Sequence, residues 1–190
     1  EFRRVLFRSF TVPGTVKTIG ANAFYDNEHL LSLTVGDNVT AIYNRAFCGL
    51  SNLAEITLPF IGNQKEYENP DWYSISFSNV FGNGYYGGNP LWKEDIWIGN
   101  TRVYKGGNLK QVTITGGSLY RNSFNSCSSI ETITLPNTPE TIPQSCFYDC
   151  TNLQTITFAD ANYTCEIGEL ILPEGVTSIG SQAFYRCRGI

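Results

Sequence analysis

Six cysteines, one histidine and a few carboxylates are the side chains of this sequence best suited to chemistry, and their spacing brings little of it together. A zinc site needs Cys or His clustered at ligand spacing, and Cys146-x-x-x-Cys150 is the one close pair. His29 is the only histidine, so a Ser-His-Asp or Cys-His arrangement would have to run through it. It stands beside Glu28 in a turn-rich stretch and reads as a solvated turn residue. Acid–base hydrolysis needs two converging carboxylates in a cleft, and no such pair stands out. Thr115-Gly116-Gly117 and Gly82-Asn83-Gly84 lack the lysine and following helix of a phosphate loop, and read as turns. Leu135-Pro136-Asn137-Thr138-Pro139 resembles a sortase signal but is internal and has proline where glycine is needed. Asn38-Val39-Thr40 and Asn162-Tyr163-Thr164 are glycosylation sequons, which count only in a eukaryotic secretory pathway. The expectation is a chain with no catalytic residues, no cofactor and no metal.

Composition narrows the partners. The net charge is −4 and no basic run occurs, which argues against nucleic acid and against an anionic membrane surface. No stretch reaches the roughly 20 apolar residues of a membrane span. A 42% hydrophobic content fits an ordered protein, and 18 glycines and 8 prolines imply frequent turns.

Those turns recur. Residues 12–30 read VPGTVKTIGANAFYDNEHL, 35–53 read VGDNVTAIYNRAFCGLSNL and 135–153 read LPNTPETIPQSCFYDCTNL, with a partial copy, LPEGVTSIGSQAFYRCRGI, at 172–190. Phe24 to Phe47 and Phe124 to Phe147 are each 23 positions, whereas Phe47 to Phe124 is 77 and Phe147 to Phe184 is 37. The excess reads as insertions, at 60–108 and at 159–169. Within a unit, Glu55-Ile56-Thr57-Leu58-Pro59 alternates as a half-buried strand does, with Ile56 and Leu58 inward and proline closing the ladder. A V-T-x-I-G turn stretch follows, with Tyr43 and Pro143 in the glycine slot. Then comes Ala-Phe-x-x-Cys-x-x-Leu, whose three-residue spacing suits one helical or 3₁₀ turn. One unit buries too little to fold alone, so units must stack into a shared core.

The repeat absorbs most of the chemistry. Cys127, Cys150 and Cys187 fall in one slot, three residues after the anchor phenylalanine, where Asn27 and Leu50 stand in other units. Interchange with leucine favours reduced thiols filling a core. Coils about 4.8 Å apart would also bring Cys127 and Cys150 within bonding range, so a disulfide stays open. Cys146 occupies an alanine slot, while Asp26, Asp149 and Arg186 share one position on the outer edge.

The pattern L-x-x-I-T-I-P-x-x-V-T-x-I-G-x-x-A-F-x-x-C-x-x-L, over 10–59, 109–158 and 170–190, resembles the BspA-type leucine-rich repeat. The resemblance implies a repeat solenoid with one short parallel strand per repeat and turns or short 3₁₀ or helical segments on the convex side. It also implies a surface-attached or secreted protein, associated with adhesion to a protein on a host or neighbouring cell. Insertions between a Leu-Pro-Phe and an Ile-Thr-Gly-Gly are familiar in that family.

Two features are binding candidates. Thr34, Thr57, Thr113, Thr134 and Thr157, with Thr11, would form an outward row if the strands stack in register. The plainer reading is that threonine suits exposed strands; an ice-binding row is a remote third. The other feature is the 60–108 insertion, which carries Trp72, Tyr85, Tyr86, Trp92 and Trp97 beside Tyr67, Tyr73, Phe77, Phe81 and Tyr104. Burying an aromatic removes about 150–250 Å² from water, roughly 4–6 kcal/mol gross at about 25 cal/mol/Å². Packing against the solenoid is therefore expected, with stacking on sugar rings or a protein partner as the alternative. Residues 95–104 read as a hairpin. A carbohydrate-binding segment of a larger glycan- or wall-active protein is the rival function. Residues 1–9 stand outside the pattern and read as a translated sequencing adapter, which makes the chain an assembled environmental fragment. At the other end it stops inside a repeat, so a frayed last coil is expected.

Overall fold

Alternating aliphatic and threonine residues closed by a turn make strands too short to stand alone, and here they stack in parallel. The computed structural model describes residues 8–66, 75–81, 96–98, 101–103, 108–160 and 168–190. The strands among them are β1 (Ser9–Thr11), β2 (Thr18–Ile19), β3 (Ser32–Thr34), β4 (Ala41–Ile42), β5 (Glu55–Leu58), β6 (Ile96–Ile98), β7 (Thr101–Val103), β8 (Gln111–Ile114), β9 (Thr132–Leu135), β10 (Thr141–Ile142), β11 (Thr155–Phe158) and β12 (Ser178–Ile179). One six-stranded parallel sheet runs β1-β3-β5-β8-β9-β11. On the flank, β2 pairs with β4 and β10 with β12, again in parallel.

A chain of backbone hydrogen bonds marks where each coil begins. Leu31 N–H donates to Arg8 O, Ala54 to Leu31, Lys110 to Ala54, Glu131 to Lys110, Gln154 to Glu131 and Gly168 to Gln154. Coils 1 to 7 thus start at residues 8, 31, 54, 110, 131, 154 and 168. Arg8 and Ser9, read from the sequence as adapter, take the first rung of this ladder. The inward columns are apolar throughout: Phe10, Leu33, Ile56, Val112, Ile133 and Ile156 lie side by side in register. All but Phe10 of that column are at most 2% exposed.

On the far side of the core the anchor phenylalanines line up along the stack. Ring centroids are 5.7 Å apart for Phe24–Phe47, 5.6 Å for Phe124–Phe147 and 5.3 Å for Phe147–Phe184, and Phe10 of the sheet side meets Phe24 across the core at 5.5 Å. The gap between Phe47 and Phe124 is bridged by Phe81, 5.8 Å from Phe47, and by Phe77, 5.2 Å from Phe81 and 5.3 Å from Phe124. Phe47 N–H donates to Val80 O just as Phe24 donates to Ala46 O and Phe147 to Ala183 O. Phe81 is therefore the anchor of coil 3, displaced along the sequence by its insertion.

The convex side is built from turns, not from a helical turn per repeat. Asn22, Asp26, Arg45, Asn122, Ser126, Ser145, Asp149, Gln182 and Arg186 all have φ between 52° and 61°, and Gly49 has φ 80°. They sit two residues before or two after an anchor phenylalanine. A left-handed residue every fourth position stops a helix from propagating. In three coils the second of the pair also aims its N–H along the stack: Asp26 donates to Cys48 O, Ser126 to Tyr148 O and Asp149 to Tyr185 O. The one 3₁₀ helix among the described residues is Phe77–Phe81.

Coil 6 departs from the expected insertion at 159–169. Gly168 takes the next rung only 14 positions after Gln154, while Phe184 stacks on Phe147 and β12 pairs with β10 of coil 5. The 14-residue excess between Phe147 and Phe184 thus adds a rung to the sheet side, with no anchor phenylalanine of its own, instead of lengthening a coil.

Candidate binding face

The parallel register decides what the outward side of the sheet presents. Thr11, Thr34, Thr57, Thr113, Thr134 and Thr157 fall into a single column, each the direct partner of the next. With strands about 4.8 Å apart, the column offers a hydroxyl and a methyl at every rung. Thr34, Thr57, Thr113, Thr134 and Thr157 are half-buried, and Thr11 is exposed. Thr157 and Thr134 share a 3.0 Å hydroxyl hydrogen bond. The neighbouring outward column reads Ser9, Ser32, Glu55, Gln111, Thr132 and Thr155, so Glu55 is its one charged residue. A 2.6 Å pair between Lys110 and Glu131 closes the rim beside it. Chemically the threonine column is a neutral, regularly spaced set of donors and acceptors, fit for matching a repetitive or extended surface.

The aromatic insertion divides. Phe77 and Phe81, 0% and 4% exposed, join the core stack. Trp97 lies on β6, which pairs antiparallel with β7, setting Trp97 opposite Arg102 and Ile98 opposite Thr101. Within the stretch read as a hairpin, Ile96–Ile98 and Thr101–Val103 are thus antiparallel partners. Tyr67, Trp72, Tyr73, Tyr85, Tyr86, Trp92 and Tyr104 lie outside the described residues.

The cysteine slot also proves to have a hydrogen-bonding role. Cys150 Sγ donates to Phe124 O at 3.0 Å and Cys187 Sγ to Phe147 O at 3.0 Å, each reaching the anchor of the preceding convex rung. Cys48, Cys127, Cys146, Cys150 and Cys187 are free thiols, and Cys165 lies outside the described residues. Burial raises the pKa of Cys127, Cys146 and Cys150 far above the ordinary thiol range, and pushes the half-buried Cys187 up to about 11. Such thiols are poor nucleophiles and poor metal ligands. Among the described residues no three His, Cys, Asp or Glu side chains gather as a metal site.

One positioning device escaped the sequence reading. Asn52 Nδ2 donates to Glu28 O at 2.7 Å, Asn108 to Ser51 O at 2.9 Å and Asn152 to Ser128 O at 2.7 Å. Each ties the turn before a strand to the coil below. The signal was available as Asn-Leu at 52–53, 108–109 and 152–153, but it resembles ordinary turn composition until the ladder is seen.

Stacked coils, one strand apiece, a phenylalanine spine and an asparagine ladder define a parallel solenoid of the leucine-rich-repeat class. The profile described as BspA type leucine rich repeat region, in six copies, matches residues 1–80 and 159–190. That is more than half of the chain, and the chain belongs to this family. Among solved structures, a leucine-rich repeat protein from Eubacterium ventriosum is similar over 94% of this chain and 42% of its own, with 20% identity and a TM-score of 0.53. The T. pallidum leucine-rich repeat protein matches over 97% of this chain and 78% of its own, at 17% identity and a TM-score of 0.47. The chain thus spans less than half the length of the Eubacterium ventriosum protein. No curated protein matches it. Among the described residues, no helix is long and apolar enough to cross a membrane.

Proposed function

We propose that this chain is a non-catalytic interaction segment of a surface-attached or secreted protein, binding a protein on a host or neighbouring cell through the outward face of its sheet. The observation that carries the reading is the unbroken threonine column, Thr11 to Thr157, held in register by the parallel sheet. Family membership supports it, since repeats of this type are associated with adhesion and protein binding. A repeated neutral face gives little affinity per rung but adds across rungs, and it avoids the desolvation cost of charged side chains.

The test is a double substitution, Thr57→Lys with Thr134→Lys, in the whole protein on cells. Loss of adhesion to an immobilised protein surface, with an unchanged melting temperature, supports the reading. Unchanged adhesion overturns it. Binding to a glycan array that vanishes on Trp72→Ala or Trp92→Ala would instead favour the carbohydrate-binding alternative.

A further inference from the structure

A second surface has the makings of a site, and it arises where the repeat is shortened. Coil 4 spans 21 positions, from Lys110 to Glu131, against 23 in coils 1, 2 and 5. It lacks the short flank strand that other coils form at β2, β4, β10 and β12. The Gly116–Gly117 turn cuts directly from β8 towards Leu119. Gly117 has φ 76°, and a Cβ on Gly116 would lie 2.9 Å from Pro59 O. The turn is thus drawn tight against coil 3, and a cleft of about 290 Å³ opens between it and the Pro136–Thr141 segment of coil 5. Ile61, Ile114, Leu119 and Leu135 give the cleft apolar lining.

Its far wall is a strand edge. β10 is joined to β12 through the carbonyls of Glu140 and Ile142, which accept from Thr177 and Ser178 and from Gly180. Successive residues of a strand in a ladder address opposite edges, so Thr141 turns its own N–H and C=O towards the cleft. The next donor is missing by composition. Where Tyr43 N–H bonds Ile19 O and Gly180 N–H bonds Ile142 O, coil 5 has Pro143. The open edge is therefore one residue long, which keeps it from pairing at length with another sheet. The surroundings are acidic. Glu140 lines the cleft, Asp160 accepts from Thr138 N–H at 2.8 Å and from its hydroxyl at 2.9 Å, and Asp37 accepts from the Thr115 hydroxyl. Among the described residues, no lysine or arginine lines it.

We propose that this cleft is a docking site for a short extended peptide segment of a partner protein, in which an apolar residue sits beside a basic one. The peptide backbone pairs with Thr141 as an added strand, the apolar side chain packs on Leu119 over Ile114 and Leu135, and the basic one meets Glu140 and the Asp160 carboxylate. No threonine of the outward column lines the cleft, so the two readings stand or fall separately.

Titration of the ¹⁵N-labelled full chain with a capped hexapeptide of alternating threonine and leucine carrying one central lysine tests this. Amide shifts should concentrate on Gly117, Leu119 and Thr141. A glutamate in place of the lysine, or N-methylation of the central peptide bonds, should each weaken binding by about tenfold, the scale of one lost charge contact or hydrogen-bond pair. Glu140→Lys should reverse the preference between the lysine and glutamate peptides, and being exposed it leaves the fold intact. The proposal is overturned by equal affinity for all three peptides, or by shifts that avoid those amides.

Discussion

The sheet side and the convex side of this solenoid obey different rules. Coils 1 to 6 each contribute one strand to the sheet, and the outward threonine stands at the same register point in all six. On the convex side the rungs are unequal: coil 3 supplies two phenylalanines, Phe77 and Phe81, and coil 6 is skipped when Phe184 stacks on Phe147. A parallel sheet demands backbone pairing at a fixed spacing, whereas ring stacking tolerates centroid separations of 5.2 to 5.8 Å and interplanar angles from 5° to 55°. The long insertion of coil 3 is therefore accommodated away from the sheet and repaired by the rings of Phe77 and Phe81.

The sharpest way to break this comparison is Phe81→Ala. If Phe81 replaces the regular anchor, its removal should cost about 3–5 kcal/mol, as Phe47→Ala should. Urea unfolding that shows less than about 1 kcal/mol for Phe81 alone would mean that the convex spine does not run through the insertion. A smaller loss is expected at Gly49→Ala. Its φ is 80°, and the added Cβ would approach Asp26 N to 2.9 Å. The cost should reach about 1–2 kcal/mol or more.

Asn152→Ala removes a hydrogen bond of the ladder to Ser128 O and should cost about 1 kcal/mol. If the convex side is defined by backbone sign and not by side chain, Gln182→Gly should do the opposite. Gln182 is exposed with φ 58°. Relief of about 1–2 kcal/mol of left-handed strain against about 0.5–1 kcal/mol of added chain entropy leaves a small net gain. A melting temperature lowered by that substitution would count against the assignment.

The cysteine slot sharpens the comparison through pH. Cys187 is raised to about 11 by burial, so above the ordinary thiol range the unfolded chain loses its proton first. Stability is then fully present below about pH 8 and is lost as pH rises towards 11, since the folded state holds more protons. Melting temperatures should fall over that interval. The fall should be smaller for Cys187→Ala, and iodoacetamide at pH 8 should leave Cys127, Cys146 and Cys150 unmodified in the folded protein.

The legible part of the fold was large because its signal repeats. Alternation around Ile56, Ile133 and Ile156 marked the strands, and the interval from Phe24 to Phe47 marked the stack. The convex conformation was not legible. Asp26, Gly49, Ser126, Asp149 and Arg186 share a slot yet no chemical property, since what unites them is a positive φ, which Asp26, Ser126 and Asp149 hold while their N–H groups find carbonyls in the next coil. The anchor of coil 3 was hidden too, because Phe81 stands 34 positions after Phe47, and only the Val80 carbonyl and the neighbouring rings reveal its rank.

What the linear order of residues determined by itself is the period, the strand faces and the sheet-side column, because each depends on neighbours along the chain or on identical spacing. What tertiary structure alone decided is which rung meets which: that Phe81 stands in for a regular anchor, that coil 7 packs its phenylalanine on coil 5, and that a two-residue shortening in coil 4 leaves an open cleft beside Thr141. Those outcomes follow from hydrogen bonds and ring contacts between coils, whose partners lie 14 to 56 positions apart along the ladder.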